Sequence, residues 1–149
     1  MTATDSTKTS DSVEQTEEIA REFAGQLGPG DVILMTGEVG SGKSTFVRAA
    51  LRALGVTGAI PSPTFTLARR YEGESGPLSH LDLYRIGPLA DEVPDLLGEY
   101  LTPDGIIFIE WPGGSESELR TYARRVGQVH LKIVGTDSRA LQMSGPSGP

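Results

Sequence analysis

Nine residues in the first third of the chain constrain its fold more than any other stretch. The segment GEVGSGKST, Gly37 to Thr45, holds three glycines, a lysine and three hydroxyl side chains directly before the next apolar run, and it follows the apolar run VILM at 32–35. After it, apolar residues recur at helical spacing over 46–54 and stop at Gly55. A stiff apolar strand, a flexible loop and a helix in this order predict the strand–loop–helix unit of an α/β protein.

The spacing Gly37-x-x-x-x-Gly42-Lys43-Ser44 is that of a phosphate-binding loop, or P-loop. Where side chains are absent, consecutive backbone N–H groups can surround a polyphosphate, and the following helix points its positive end at the same place. We expect Lys43 to reach the β- and γ-phosphates of a nucleoside triphosphate and the Ser44 hydroxyl to bind Mg²⁺. The expected phosphate contacts are Gly37, Gly40, Ser41, Gly42, Lys43, Ser44 and Thr45.

Composition narrows the class of protein. The 149 residues are enough for one domain, expected over 11–143, with disordered polar tails at 1–10 and 144–149. No run approaches the roughly 20 apolar residues of a membrane helix, the polar N-terminus does not read as a secretory signal, and cysteine is absent, so a cytoplasmic protein is the simplest expectation. A net charge of −7 argues against DNA as a partner and against tight nonspecific binding of nucleic acid.

The remaining patterns alternate between helix and strand. Helices are expected over 13–27 and 116–125, a short helix or turn over 89–97, strands over 31–36, 64–71, 77–86 and 105–111, and a terminal hairpin of 128–134 and 139–144. This order predicts a P-loop NTPase-like three-layer α/β fold. Its central mixed sheet should have a parallel core with antiparallel additions, and helices on both faces.

Phosphate chemistry also needs acids near the metal. Glu110 ends the apolar run IIFI and is our candidate metal acid; Asp82, inside SHLDLYR, is the second candidate. A solvated strand-end carboxylate is the alternative for each. The expected catalytic residues are therefore Lys43, Asp82 and Glu110, and the expected metal ligands are Ser44 and Glu110.

Three further residues have open roles. Thr64, in the proline-framed SPTFT, is either a switch hydroxyl that senses Mg²⁺ and the γ-phosphate or an ordinary strand threonine. His80 could be a base, although a lone histidine is more often a structural hydrogen-bonding residue. Trp111 is either a core residue or a wall beside the nucleotide.

Four motifs taken in order resemble the TsaE (YjeE) family. They are the P-loop and helix of 37–47, SPTFTL at 62–67 with Tyr71, HLDLYR at 80–85 and IEW at 109–111, and the resemblance extends over about 13–143. It implies a bacterial P-loop ATPase required for making threonylcarbamoyladenosine next to the tRNA anticodon. It also implies that the chain acts with TsaD, which transfers the threonylcarbamoyl group, and with TsaB, and that it meets tRNA indirectly through their complex.

The resemblance assigns further roles by position. It implies that Val13 and Thr16 contact the base, that Arg139 contacts the nucleotide and that Asp82 lies near the γ-phosphate and the metal. It also implies that Thr64 belongs to a mobile switch and that ATP binding and hydrolysis set or reset the partner complex. Two segments depart from the family pattern, since the connector over 86–101 contains Pro94 and the stretch over 112–126 is more helical and basic than the family's open loop.

Two other functions use the same loop. A small-molecule kinase would pass the γ-phosphate to a metabolite, and Arg120, Arg124 and Arg125 could belong to the lid that it needs. A GTPase switch would need an Asn-Lys-x-Asp guanine reader, which the chain lacks. The kinase therefore stays as the alternative to the ATPase.

Overall fold

A computed structural model of the chain describes residues 5–60, 68–82, 99–100, 102–110 and 123–147. Over these ranges the chain forms two helices and one seven-stranded sheet. In chain order the elements are β1 (Asp5–Ser10), α1 (Val13–Ala24), β2 (Asp31–Gly37), α2 (Lys43–Ala53), β3 (Ala68–Gly73), β4 (Gly76–Asp82), β5 (Ile106–Glu110), β6 (Arg125–Ile133) and β7 (Arg139–Ser147).

The sheet has the strand order β1-β7-β6-β2-β5-β4-β3. The four central strands, β6, β2, β5 and β4, pair in parallel. The pairs β1–β7, β6–β7 and β3–β4 are antiparallel. The predicted mixed sheet with a parallel core and antiparallel additions is confirmed, and so is the terminal hairpin.

Both described helices pack on the same face of the sheet. Their apolar sides meet alternate residues of the central strands, such as Ile33 of β2 and Phe108 of β5, in the larger core cluster, where the Phe23 and Phe46 rings lie 5.7 Å apart. The opposite face carries a smaller cluster that includes Leu34. Because β2 and β5 are buried on both faces, they are continuous apolar runs, which is why the sequence shows them so clearly.

The helices predicted over 89–97 and 116–125 lie outside the described residues, apart from the last three positions of the second. There the prediction is wrong, because Ala123 and Arg124 are not helical and Arg125 begins β6. Arg125 pairs with Asp31 in the β2–β6 ladder and donates two 2.7 Å hydrogen bonds to its fully buried carboxylate. This ion pair holds Arg125 extended at the start of the strand.

The predicted disordered tails are wrong for residues 5–10 and 144–147. β1 pairs with β7 from Asp5 opposite Ser144 to Ser10 opposite Arg139, and β7 continues to Ser147. The Lys8 ammonium also lies 2.8 Å from the Glu22 carboxylate on α1. Backbone pairing with a neighbouring strand holds these polar segments in the sheet although they bury little apolar surface. The sheet therefore extends beyond both predicted boundaries of the domain.

The carboxyl ends of β2, β5 and β4 meet at one edge of the sheet, and the P-loop leaves β2 at this edge. Ligands of open α/β sheets bind at such edges. The N-terminus of α1 reaches the same region, after an N-cap at Ser12 whose side chain accepts a hydrogen bond from the backbone N–H of Gln15. Within the described ranges, no helix is long and apolar enough to cross a membrane.

Candidate nucleotide-binding site

The P-loop owes its shape to three glycines with positive φ angles. Gly37, Gly40 and Gly42 have φ values of 143°, 83° and 104°, which other L-residues rarely adopt. Gly42 is the N-cap of α2, so the helix begins directly at the loop with no side-chain cap on its first N–H groups. Those groups remain available to an anion, as in other loops that cradle phosphate.

The Lys43 side chain lies inside the loop. Its ammonium donates to the carbonyl of Gly37 at 2.5 Å and to that of Glu38 at 3.0 Å, and the side chain is buried. Burial lowers the pKa of Lys43, while the carboxylates of Glu110 and Asp82 act in the opposite direction. The lysine is therefore placed inside the loop, within electrostatic reach of both predicted acids.

Glu110 and Asp82 are neighbours in the sheet. They are the last described residues of β5 and β4 and lie opposite each other in the parallel ladder. Phe108, two positions before Glu110, and Leu78, four positions before Asp82, belong to the core under the helices, so both acids lie on the helix-bearing face. Glu110 is buried, and its Oε2 atom lies at a hydrogen-bond distance of 2.6 Å from Nε2 of His80.

A cavity of about 430 Å³ opens on the side of the P-loop away from these two acids. Its walls come from three places: the start of α1, the P-loop with the first turn of α2, and the turn that joins β6 to β7. The lining residues are Asp11, Ser12, Val13, Glu14, Thr16, Gly40, Ser41, Gly42, Thr45, Thr136, Asp137 and Arg139. The site residues predicted on α1 and β7 therefore meet the P-loop around one cavity.

Hydrogen bonds tie the three walls together. Arg139 donates to the carbonyl of Gly40 in the P-loop at 3.2 Å and to carbonyls of the β6–β7 turn. Ser138, in the same turn, donates to the carboxylate of Asp11 at 3.0 Å. Thr16 shares its hydroxyl with Ser10 at 2.7 Å, so it is a buried wall residue whose polar atom already has a partner.

Two lining side chains, one exposed and apolar and one buried and polar, are candidates for contact with a ligand. Val13 is 59% exposed, which is unusual for a valine and provides an apolar surface at the mouth of the cavity. The Ser41 hydroxyl is buried and has no hydrogen-bond partner within the described part of the chain. A buried polar atom of this kind is normally paired, so a bound ligand or water is a natural partner for it.

Sequence reasoning did not select Asp11, Glu14, Thr136 and Asp137, which also line the cavity. Thr136 and Asp137 lie in the predicted hairpin turn, but only the sheet order shows that this turn lies beside the P-loop. Asp11 carries a local signal, because it stands directly before the N-cap of the helix that was predicted to lie near the base.

The other predicted site residues divide into two groups. Ser44 and Thr45 are the second and third residues of α2, half-buried behind the loop. Thr64 and Trp111 lie outside the described residues.

Among the described residues, no cluster of three carboxylate, histidine or cysteine side chains could hold a metal alone. A hydroxyl and one carboxylate suit Mg²⁺, which keeps several waters and takes its other ligands from phosphates.

Comparison with known proteins agrees with the geometry. A family profile described as "Threonylcarbamoyl adenosine biosynthesis protein TsaE" matches residues 10–141. The chain belongs to the TsaE family. The resemblance drawn from the four motifs is thereby confirmed, and with it a place in tRNA threonylcarbamoyladenosine biosynthesis at the level of the family.

Individual TsaE proteins match over most of their length. The tRNA threonylcarbamoyladenosine biosynthesis protein TsaE of Bacillus subtilis is 36% identical over 129 residues, which cover 86% of this chain and 78% of that protein. Its counterpart in Streptomyces coelicolor is 40% identical over 104 residues, covering 68% and 70%. The crystal structure of Bacillus subtilis YdiB superposes with a TM-score of 0.77 and 28% identity, over 99% of this chain and 89% of that one. The predicted fold class is therefore confirmed.

Proposed function

We propose that this TsaE-family chain is a Mg²⁺-dependent ATPase that serves as a switch or reset motor for a TsaD–TsaB transferase complex. One observation carries the proposal. Lys43 lies inside a P-loop, and the carboxylates of Glu110 and Asp82, at the ends of two neighbouring parallel strands, counter the lowering of its pKa by burial. A lysine, a hydroxyl at the helix start and acids at adjacent strand ends are the parts that phosphoryl transfer to water requires.

The sheet order supports one orientation of the nucleotide. β2, which carries the P-loop, lies between β6 and β5. The cavity lies toward α1 and the β6–β7 turn, whereas Glu110 and Asp82 end the strands on the other side. ATP would then place its base and ribose in the cavity and its γ-phosphate toward the acids.

The cavity also fits the base end better than the phosphate end. Val13 offers apolar contact to a ring, while the carboxylates of Asp11, Glu14 and Asp137 repel phosphate and can accept hydrogen bonds from an amino group or from ribose hydroxyls. Arg139 is the cation of this wall, and its guanidinium can turn from the Gly40 carbonyl to a bound nucleotide.

The protein's own groups divide the chemical work. Lys43 would leave the two loop carbonyls and hold the β- and γ-phosphates, while the N–H groups at the start of α2 neutralise negative charge. Ser44 and Glu110 would hold Mg²⁺, which supplies charge neutralisation at the transferred phosphoryl group. Asp82 would orient the attacking water. The switch role assigned to Thr64 and the nucleotide contact assigned to Trp111 remain part of the proposal.

Phosphate release tests the reaction. The isolated protein should convert ATP to ADP and inorganic phosphate far more slowly than the ~10 s⁻¹ typical of enzymes, because a switch is completed by its partner. Purified TsaD and TsaB from the same genome should change that rate. The assembly of this chain with TsaD and TsaB should differ between the ATP-bound state and the state after hydrolysis. A role in tRNA modification implies a cytoplasmic location. A phosphorylated metabolite in place of inorganic phosphate would contradict the ATPase and identify the kinase.

A further inference from the structure

Next to the proposed metal acid lies a histidine that the mechanism has not used. The Nε2 atom of His80 is 2.6 Å from Oε2 of Glu110, and each residue is only 3% exposed. A hydrogen bond this short between two buried polar groups, one of them a carboxylate, is of the strong charge-assisted kind. The bond fixes the orientation of the Glu110 carboxylate.

The register of the sheet produces this contact. His80 on β4 lies opposite Phe108 on β5, so Glu110 is its diagonal neighbour on the same face. His80 also stands two residues before Asp82, which places both on that face. The sheet thus brings His80 and Glu110 into contact although 30 positions separate them in the chain.

The direction of the hydrogen bond follows from the role proposed for Glu110. A carboxylate can hold a metal ion only in its ionised form. An ionised carboxylate only accepts hydrogen bonds, so the proton must lie on Nε2 of His80. With Nε2 committed to Glu110 inside the protein, the ring has no free nitrogen on that side to act as a base toward substrate.

We propose that His80 is a positioning residue for Mg²⁺ binding: its Nε2–H holds one oxygen of Glu110 and leaves the other for the metal or a metal-bound water. This inference rests on the proposed function, because it needs Glu110 to serve the metal. Hydrogen-bond partners of ligating carboxylates fix their orientation, and losing such a partner typically costs about 10- to 100-fold in metal affinity or activity.

Two substitutions separate positioning from packing. His80→Leu keeps much of the volume but has no donor, whereas His80→Gln can place an amide N–H near the position of Nε2. His130→Gln is the matched control, since His130 is the other histidine of the chain and its exposed side chain on β6 has Thr36 as its partner. Thermal unfolding of all three variants identifies any loss of folding.

The decisive measurement is the affinity for a fluorescent ATP analogue, with Mg²⁺ and with EDTA, together with binding of Mn²⁺ followed by electron paramagnetic resonance. We expect His80→Leu to weaken Mg²⁺-dependent binding about 10- to 100-fold while binding in EDTA stays at the wild-type value. His80→Gln should recover a large part of the loss, and His130→Gln should match the wild type. Equal Mg²⁺ dependence in His80→Leu and the wild type would overturn the positioning role.

The wild-type protein distinguishes this failure from failure of the proposed function. If it shows no Mg²⁺-dependent binding of ATP, the function and the inference fall together; if it does, only the His80 variants decide the inference. Should His80→Leu not fold, nitrogen-15 spectra of histidine-labelled wild-type protein still decide it, with His130→Gln assigning the signals. A proton on Nε2 of His80 is expected, and a ring protonated on Nδ1 alone would refute the proposal.

Discussion

Replacing Gly37 by alanine should destabilise the protein more than the same change at Gly40, although both glycines belong to the P-loop and both have positive φ. A methyl group at Gly40 would meet no atom within 4 Å, so its cost is the backbone conformation alone, about 1–2 kcal/mol. A methyl group at Gly37 would lie 2.5 Å from the carbonyl oxygen of Leu131 and 2.7 Å from Oγ of Ser41.

The Leu131 carbonyl cannot move away easily, because Leu131 is paired with both β2 and β7. Overpacking of this kind adds about 1–3 kcal/mol, so Gly37→Ala should lose about 2–5 kcal/mol in total. Urea unfolding of both variants and the wild type measures these values. Gly40→Ala should instead impair ATP binding, since Gly40 lines the cavity. Equal losses of stability in the two variants would refute the packing described for the loop.

Two other predictions concern buried charge. Arg125→Met should lower the free energy of unfolding in urea by about 3 kcal/mol, because it leaves the buried Asp31 carboxylate without its ion pair. Adding Asp31→Asn to that variant should recover part of the lost stability. A double variant no more stable than Arg125→Met would contradict this explanation. Burial lowers the pKa of folded Lys43, so the unfolded chain binds more protons between that pKa and the ordinary 10.5. The free energy of unfolding should therefore rise with pH in this window in the wild type but not in Lys43→Met; parallel pH profiles would speak against it.

The sequence predicted the parts of the site that depend on local pattern. Glycine spacing located the P-loop, because each positive φ needs a residue without a side chain, and the apolar run before Glu110 located the end of β5. The helix from Lys43 to Ala53 followed from apolar spacing and from Gly55, which takes a left-handed conformation just past its end. These features are encoded within about ten consecutive residues.

Features that depend on strand order were not predictable in the same way. β1 has the sequence DSTKTS, with no apolar residue, and forms only because β7 offers a free edge to its backbone. The contact of His80 with Glu110 requires β4 beside β5 in one particular register. The position of Thr136 and Asp137 beside the P-loop likewise follows from β6 lying next to β2.

The central claim is that the P-loop and Lys43 hold the phosphates of ATP. Isothermal titration calorimetry with ATP and Mg²⁺, for the wild type and Lys43→Ala, tests it most directly. A charge-assisted hydrogen bond contributes about 1.5–3 kcal/mol, so the variant should bind roughly 10- to 150-fold more weakly. ATP binding of equal affinity in both proteins, or none in the wild type, would contradict the account.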